Sequence, residues 1–304
     1  MLLMTMVVRN EADILRDNLE HHLRLGVGHF VIQDNGSTDG TSEILADFAR
    51  SGVADVFRDD GSSFEQETQM ARLIRHAMDR HAPDWIIAND ADEFYVPRAD
   101  PTLTACLGRA AGVNVLTCRR RNVILDQATL AAADWRTAPR YVPVLEQRPP
   151  SGLHDPAVRL DYPFFYYSLP GKVIFRPAGF VGIDRGCHGV SLAGKTITAP
   201  AEIDILHFPV RSIDEFLASV PRFVQFENGE GVNPNINGKY RRWTRMLAEG
   251  VPVQAVVNEA VPDAATLARH VAEGLLVPAA MNGRWAVRDG GADAAGRAPG
   301  EVIT

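Results

Sequence analysis

Apolar runs and helical repeats alternate along the first hundred residues. Short apolar runs predict buried strands, and apolar residues at helical spacing predict helices between them. The strands are predicted at residues 2–8, 29–33, 53–57 and 85–89, and the helices at about 10–25, from 41 onward and at 64–81. This alternation favours a parallel sheet with helices on its faces, an α/β fold. Such sheets bind ligands beyond the carboxyl ends of their strands.

Polar clusters follow three of the predicted strands, at residues 9–11, 34–37 and 90–92. Along an extended chain Asp90 and Asp92 point to the same side. Two carboxylates that close favour a cation between them, and Mg²⁺ or Mn²⁺ held by carboxylates usually takes phosphate oxygens as further ligands. An isolated D-x-D is more often a solvated acidic turn, but three polar clusters at one sheet edge favour a binding site.

The second half has a less regular pattern. Helices are predicted at residues 103–111, 214–227 and 239–247, a strand at 113–118, and short helical pieces from 252. We expect an α/β domain over residues 1–215, a C-terminal helical extension over 216–287, and a disordered tail at 288–304. The basic triplet 119–121 favours a solvated face, with phosphate or acceptor binding as the alternative. Four consecutive aromatic residues at 164–167 favour core packing, with contact to a sugar acceptor as the alternative.

The net charge and the cysteine content restrict the classes of partner and the cellular compartment that we expect for this chain. The net charge is −7 and the pI is about 5.7, which argues against nucleic acid as a main partner. Three cysteines at unrelated positions predict a reducing compartment without a disulfide framework. No stretch approaches the roughly 20 apolar residues of a membrane span, and the N-terminus lacks the pattern of a signal peptide. We therefore expect a soluble, cytoplasmic protein.

One apparent motif is a coincidence. Residues 189–196 satisfy the P-loop pattern G-x-x-x-x-G-K-T. A phosphate-binding P-loop follows a buried strand and opens a helix. Here a polar, glycine-containing run precedes the match, and β-branched residues closed by Pro200 follow it.

Several segments together resemble a known family. They are V-R-N-E-A-D-x-L from Val8, H-x-x-L-G-V from His22, Q-D-N-G-S-T-D-G-T from Gln33 and D-W-I-I-A-N-D-A-D-E-F from Asp84. This pattern resembles the nucleotide-sugar domain of family 2 glycosyltransferases and, more closely, the family-92-like branch. That branch usually opens with K-N-E, where this chain has Arg9. A weaker resemblance continues to residues 207–212. It implies a GT-A fold, Rossmann-like with a mostly parallel sheet.

The resemblance implies an activity and roles for particular residues. The activity is transfer of a sugar from a nucleoside diphosphate, with UDP as the default, to a glycan or other hydroxyl acceptor, with inversion and with Mn²⁺ or Mg²⁺ as cofactor. Asp34 would accept from the base or ribose. Asp90 and Asp92 would form the metal-binding D-x-D, with Asp92 as the direct ligand and Asp90 nearer the ribose. His207 would be a late metal ligand, although a core histidine is an equal alternative. The remaining donor-binding predictions are Arg9, Asn10, Glu11, Asn35, Ser37, Arg72 and Lys172.

The base that deprotonates the acceptor hydroxyl is left open. The candidates are Asp184, then His188 or Glu227, and no motif chooses among them. Lys172 and Arg176 could stabilise the leaving diphosphate, although a solvated charge at a strand edge is the commoner role of a lone lysine. A nucleotidyltransferase is an alternative function, but its glycine-rich basic loop is missing. A non-catalytic nucleotide- or glycan-binding module is another, opposed by the cost of an unused buried dicarboxylate.

Overall fold

The computed structural model describes residues 1–59, 66–133, 135–145, 147–225 and 238–279. Its first part alternates strands and helices as the apolar pattern predicts. The elements are β1 Leu2–Val8, α1 Leu15–Arg24, β2 Val27–Asn35, α2 Thr41–Arg50, β3 Ala54–Asp59, α3 Gln66–His81, β4 Trp85–Asn89 and β5 Glu93–Pro97.

The second part adds strands to the same sheet and ends in helices. The elements are α4 Leu103–Gly108, β6 Val115–Asn122, α5 Gln127–Ala131, β7 Tyr141–Pro143, β8 Lys172–Phe175, β9 Phe180–Ile183, β10 Val190–Leu192, β11 Thr198–His207, α6 Ile213–Gln225, α7 Gly238–Ala248, α8 Val253–Ala260, α9 Ala264–Ala272 and β12 Leu276–Pro278.

An eight-stranded sheet forms the centre, in the order β3-β2-β1-β4-β8-β6-β11-β5. Strands β3, β2, β1 and β4 are parallel, β8 runs antiparallel between β4 and β6, β11 is parallel to β6, and β5 is antiparallel to β11. All but β8 and β5 therefore run in one direction. The predicted α/β fold with a mostly parallel sheet is confirmed.

Both faces of the sheet are covered, which is why its strands are apolar without alternation. Met4 and Met6 of β1 lie in the core that includes Leu19 of α1. Leu3, pointing to the opposite face, packs in a second core with Leu73 of α3. The carboxyl ends of β1, β2 and β4 are left at one edge, where the loops that follow them are free to bind a ligand.

Some element predictions were wrong at their boundaries. The first helix begins at Leu15 rather than near Asn10, because Asn10 has a left-handed backbone (φ 56°) and the chain turns before the helix starts. Residues 119–121 lie within β6 instead of after it. Strand β5 was not predicted, because its acidic start resembles a turn. Glu227 and the predicted disordered tail lie outside the described residues, and the domain boundary at residue 215 stays a prediction.

Residues 164–167 are buried, so core packing is the correct interpretation and sugar contact is not. Phe164 and Phe165 pack against Trp243 of α7. The P-loop-like run forms β10, which pairs antiparallel with β9. All three cysteines are buried and free, as expected. Within the described ranges, no helix combines the length and the apolar character that crossing a bilayer requires.

Candidate active site

The loops after β1 and β2 are joined by hydrogen bonds. The Asn10 amide donates to Ser37 Oγ at 3.0 Å, and Asn10 Oδ1 accepts from the Thr38 amide at 2.8 Å. The Glu11 amide donates to Thr41 Oγ1 at 2.8 Å. The left-handed backbone at Asn10 suits asparagine, which adopts it more readily than most residues. Two of the three predicted polar clusters therefore form one continuous surface.

Asp34 is buried at the end of β2 and organises the turn that follows. Its Oδ1 accepts from the Ser37 amide at 2.9 Å, and its Oδ2 accepts from the Ser42 hydroxyl. A carboxylate has about four acceptor sites, so these bonds leave capacity for a ligand. Asn35, also buried, accepts from Gln69 of α3 at 3.4 Å.

The two arginines of the predicted donor set are both exposed. Arg9 lies directly after β1. Arg72 lies on α3 and donates to Gln33, which precedes Asp34 in β2. Both residues therefore lie near the carboxyl edge of the sheet. Among the described residues, neither arginine contacts the acidic side chains of residues 90–93.

The third cluster is held by two buried cations. Lys172 Nζ lies 2.6 Å from Asp90 Oδ2 and 2.7 Å from Glu93 Oε2, and Arg120 Nη1 lies 3.0 Å from Glu93 Oε1. The Lys172 side chain is 0% exposed, so it is not a solvated charge at a strand edge. Burial raises the pKa of Asp90, and Lys172 opposes that increase. Lys172 and Arg120 thus neutralise the carboxylates beneath the site, and the predicted contact of Lys172 with the donor stays a prediction.

Asp92 faces His207 across the end of the sheet. His207, the last residue of β11, pairs in register with Glu93 of β5 and Asn122 of β6. Its Nε2 lies 3.2 Å from Asp92 Oδ2. Although burial raises the pKa of Asp92, His207 holds it below the usual value. Strand pairing therefore brings together two predicted metal ligands that are 115 positions apart in the sequence.

The orientation of His207 is fixed by Asn122. Asn122 Nδ2 donates to the carbonyls of Phe165 at 3.0 Å and Tyr167 at 3.3 Å, so its Oδ1 points at His207 Nδ1, 2.7 Å away. His207 must donate from Nδ1, and in the neutral ring Nε2 is then a lone pair aimed at Asp92. Two acceptors 3.2 Å apart require a proton or a cation between them.

This donor set fits a divalent cation. An imidazole nitrogen with its other nitrogen hydrogen-bonded, facing a carboxylate oxygen, is a common arrangement of protein metal ligands. Asp92, Glu93 and His207 have ligand atoms within 4.8 Å of one another. Glu93 is committed to Lys172 and Arg120, so Asp92 and His207 are the two residues free to hold the ion.

Arg211 is a site residue whose role the sequence did not suggest. It donates to Glu11 Oε2 at 2.9 Å and to Asp13 Oδ1 at 3.1 Å, and so fixes the loop after β1 against the segment after β11. Burial raises the pKa of Glu11 to about 8, and Arg211 opposes that shift. The H-F-P-V-R-S segment carried the only signal for this contact.

Three other predicted residues, Arg176, Asp184 and His188, have contacts that do not involve Asp92 or His207. Arg176 stacks over the ring of Trp85, 4.2 Å from its centroid, at the opposite end of β4, so its predicted role in stabilising the leaving group is wrong. Asp184 is exposed, and its Oδ1 accepts from the Gly189 amide at 2.8 Å. His188 is half-buried, and its Nδ1 bonds the carbonyl of Gly171 at 2.7 Å, next to Lys172.

A mostly parallel sheet flanked by helices, with an acidic cluster at the carboxyl edge of its strands, matches the GT-A fold of glycosyltransferases. The family model described as "Glycosyl transferase family 2" matches residues 5–156, which is half of the chain. The chain therefore belongs to glycosyl transferase family 2. No curated protein matches it.

Several solved structures are similar at low identity. TarS 1-349 of S. aureus in complex with UDP is 14% identical over 42% of this chain and 39% of that chain, with a TM-score of 0.34. Mannosyltransferase PcManGT from Pyrobaculum calidifontis, in complex with GDP-Man and Mn²⁺, is 15% identical over 90% and 80%, with a TM-score of 0.38. Glucosyl-3-phosphoglycerate synthase from Mycobacterium tuberculosis, with Mn²⁺, UDP and glucosyl-3-phosphoglycerate, is 15% identical over 44% and 48%, with a TM-score of 0.27.

The chain spans 39% and 22% of the first two TarS structures that it matches.

Proposed function

We propose that this chain is a metal-dependent glycosyltransferase of the family-92-like branch that moves a sugar from a nucleoside diphosphate, with UDP as the default, to a glycan or other hydroxyl acceptor. The observation that carries the proposal is the pair Asp92 Oδ2 and His207 Nε2, 3.2 Å apart at the carboxyl edge of the sheet. This pair would hold Mn²⁺ or Mg²⁺. When bound, the cation stabilises the negative charge that develops on the departing diphosphate.

The residues around this pair would bind the other parts of the nucleotide-sugar donor. Asp34 would accept from the nucleoside, with Asn10, Glu11 and Ser37 shaping the loop beneath it. Asp90, with Oδ2 held by Lys172, would face the ribose. Exposed Arg9 would attract the diphosphate. Asn35 and Arg72 would complete the donor side from β2 and α3.

Transfer would proceed by direct displacement. The acceptor hydroxyl oxygen bonds to the anomeric carbon while the bond from that carbon to the β-phosphate oxygen breaks, and the configuration inverts. The hydroxyl proton passes to a base, for which we propose His188. Its Nδ1 donates to the Gly171 carbonyl, leaving Nε2 as the acceptor. Burial lowers its pKa, so the ring is neutral at pH 7 and able to take a proton.

The base assignment is tested by two matched variants. His188→Gln should lower kcat by about 10²–10⁴-fold, the usual contribution of a general base, and should remove the acidic limb of the pH profile. Asp184→Asn, four residues earlier in the same loop, should leave kcat and the pH profile little changed. The opposite result would transfer the role to Asp184, and normal kcat in both variants would leave neither of them as the base.

The function itself is tested by screening nucleotide sugars for Mn²⁺-dependent hydrolysis or transfer. Asp92→Asn should reduce turnover at least about 100-fold, because the loss of a metal ligand removes the stabilisation of the leaving group. Asp204→Asn is the matched control, since Asp204 also lies on the β5–β11 strand pair but near Arg98, 4.0 Å away. It should retain turnover.

Two outcomes would contradict the proposal. Full turnover by folded Asp92→Asn protein would show that transfer does not require the metal site. Binding of UDP irrespective of Mn²⁺, with no turnover of any donor, would favour a non-catalytic binding module.

A further inference from the structure

Three histidines surround one carboxylate at the other end of the sheet. His29 Nε2 lies 3.1 Å from Asp55 Oδ1, and the Nε2 atoms of His76 and His81 each lie 2.8 Å from Asp55 Oδ2. The rings of His29 and His81 are 4.1 Å apart between centroids. None of these residues takes part in the proposed transferase function.

The fold explains why these side chains converge. Asp55 of β3 pairs in register with Val31 of β2, and His29, two residues earlier on β2, points to the same face as Val31. Val31 packs against α3. The last turns of α3 therefore bring His76 and His81 onto the face that carries His29 and Asp55.

The cluster is separate from the proposed active site. His29 lies near the amino end of β2, whereas Asp34 lies near its carboxyl end, five residues further along. At about 3.3 Å per residue, the two positions are roughly 16 Å apart. An ion bound by the histidines would therefore not contact a donor bound at the loops after β1 and β2.

The geometry of the cluster is close to that of a metal site. His29, Asp55 and His81 have ligand atoms within 4.8 Å of one another. A tetrahedral ion with ligand distances of about 2.0–2.1 Å separates its ligand atoms by roughly 3.3 Å. The distances from Asp55 to His29, 3.1 Å, and from Asp55 to His81, 2.8 Å, are close to that separation. The side chains of His29, Asp55 and His81 are 12%, 31% and 18% exposed, so the ligands are ordered by packing yet open to entry of an ion.

We propose that His29, Asp55 and His81 bind a divalent transition-metal ion of the zinc class, and that His76 positions the Asp55 carboxylate by donating to it. Imidazole nitrogens with one carboxylate select zinc and its neighbours over Mg²⁺ and Ca²⁺, which prefer oxygen ligands. The ion would join α3 to β2 and β3. Its role is structural, because α3 packs over β1 and β2 and bears Gln69 and Arg72 at the donor edge.

The test is a Zn²⁺ titration of chelator-treated full-length protein carrying Asp92→Asn and His207→Ala, which removes the other metal site. We expect one Zn²⁺ per chain by calorimetry and an increase in Tm on addition of Zn²⁺. Adding His29→Gln and His81→Gln should abolish both effects. His154→Gln, which alters a histidine elsewhere, is the matched control and should leave both unchanged.

A second measurement does not require the Asp92→Asn and His207→Ala substitutions. Co²⁺ added to the wild-type protein should give the intense visible absorption of tetrahedral coordination, and His81→Gln should remove it. The proposal is overturned if the Asp92→Asn, His207→Ala protein binds no Zn²⁺ and wild-type protein gives only the weak spectrum of octahedral Co²⁺. It is also overturned if Zn²⁺ binding survives the loss of His29 and His81. Neither result bears on the transferase proposal, which is tested by turnover.

Discussion

Asn122 shows how a residue that would not touch a ligand can determine what the site binds. Its amide nitrogen is occupied by two backbone carbonyls, so only its oxygen can face His207. The proton of His207 is thereby fixed on Nδ1, and Nε2 is directed at Asp92. An isolated histidine would distribute its proton between the two nitrogens, and only one of those tautomers offers Nε2 as a ligand.

We predict that Asn122→Leu weakens Mn²⁺ binding by about 10–100-fold, the usual cost of losing a residue that orients a metal ligand. Mn²⁺ titration followed by electron paramagnetic resonance would measure the change. Asn114→Leu is the control, because Asn114 bonds to Lys195 and Ile197, away from the site. Unchanged Mn²⁺ affinity in an Asn122→Leu protein with normal Tm would refute the orienting role.

At the scale of single residues, the sequence predicted the positions of Asp34 and Asp92 better than the contacts around them. Asp34 and Asp92 follow apolar runs directly, so their position at the sheet edge was predictable from local pattern. The roles of Asn122, Lys172 and Arg211 depend on β8, β6 and β11 lying side by side. Local sequence does not encode that order, so it did not reveal the buried ion pairs of Lys172 with Asp90 and Glu93.

Helix α1 protects the edge of the sheet and supports the acidic turn. Asn18 Nδ2 donates to the carbonyls of Ala91 and Glu93, both at 2.8 Å. His22 Nε2 accepts from the Tyr95 amide at 3.1 Å, and His21 Nε2 bonds the Tyr95 carbonyl at 3.0 Å. Tyr95 belongs to the edge strand β5, whose outward backbone groups would otherwise be unpaired. One helix therefore both covers the edge strand and holds the turn that presents Asp92.

These histidines make stability dependent on pH. Burial lowers the pKa of His21 to about 4, and burial with the neighbouring His21 lowers the pKa of His22 well below 6.5. Between about pH 4 and 6.5 the unfolded chain binds more protons than the folded one, so stability is full above 6.5 and falls as the pH is lowered. We predict a loss on the order of 2 kcal/mol from His21 between pH 7 and pH 5, measured by urea unfolding.

The variant His21→Gln isolates this effect. The glutamine does not titrate, so the dependence of unfolding free energy on pH should be shallower than in the wild type across the same window. Equal slopes would mean that His21 is not neutral in the folded protein.

At the scale of helices and strands, the longer elements were easier to predict from the sequence than the shorter ones. The apolar strands and long helices of the first hundred residues were predictable because each has a clear period. Strands β7 and β12 have three residues each and exist because they pair with each other, far apart in the sequence. Strand β5 starts with Glu93, whose charge is compensated by Lys172 and Arg120, so composition alone gave it the appearance of a turn.

The site as a whole depends on both halves of the chain. The family match ends at residue 156, yet Lys172, His207 and Arg211 lie beyond it. Strands β8 and β11 insert beside β4 and β6 and bring these residues to the edge formed by the first half. Arg211 also connects the two halves, because it joins the segment after β11 to Glu11 and Asp13, which precede α1.

We predict that Arg211→Ala lowers the free energy of unfolding by on the order of 2–3 kcal/mol, because it leaves Glu11 and Asp13 unpaired in a largely buried site. Urea unfolding would measure this loss. Arg159→Ala is the control, since Arg159 also pairs with an aspartate, Asp161, but the two side chains are 90% and 76% exposed. Its effect should be much smaller. Similar losses in the two variants would show that Arg211 contributes no more than a surface ion pair.

The central claim is that Asp92 and His207 hold a cation that in turn binds a nucleoside diphosphate. Calorimetric titration of UDP into the protein, with Mn²⁺ and then with a chelator, tests it most directly. The account predicts binding with Mn²⁺, little or none with the chelator, and loss of the Mn²⁺-dependent binding in both Asp92→Asn and His207→Ala. Equal UDP affinity with Mn²⁺ and with the chelator, in wild-type protein and both variants alike, would contradict it.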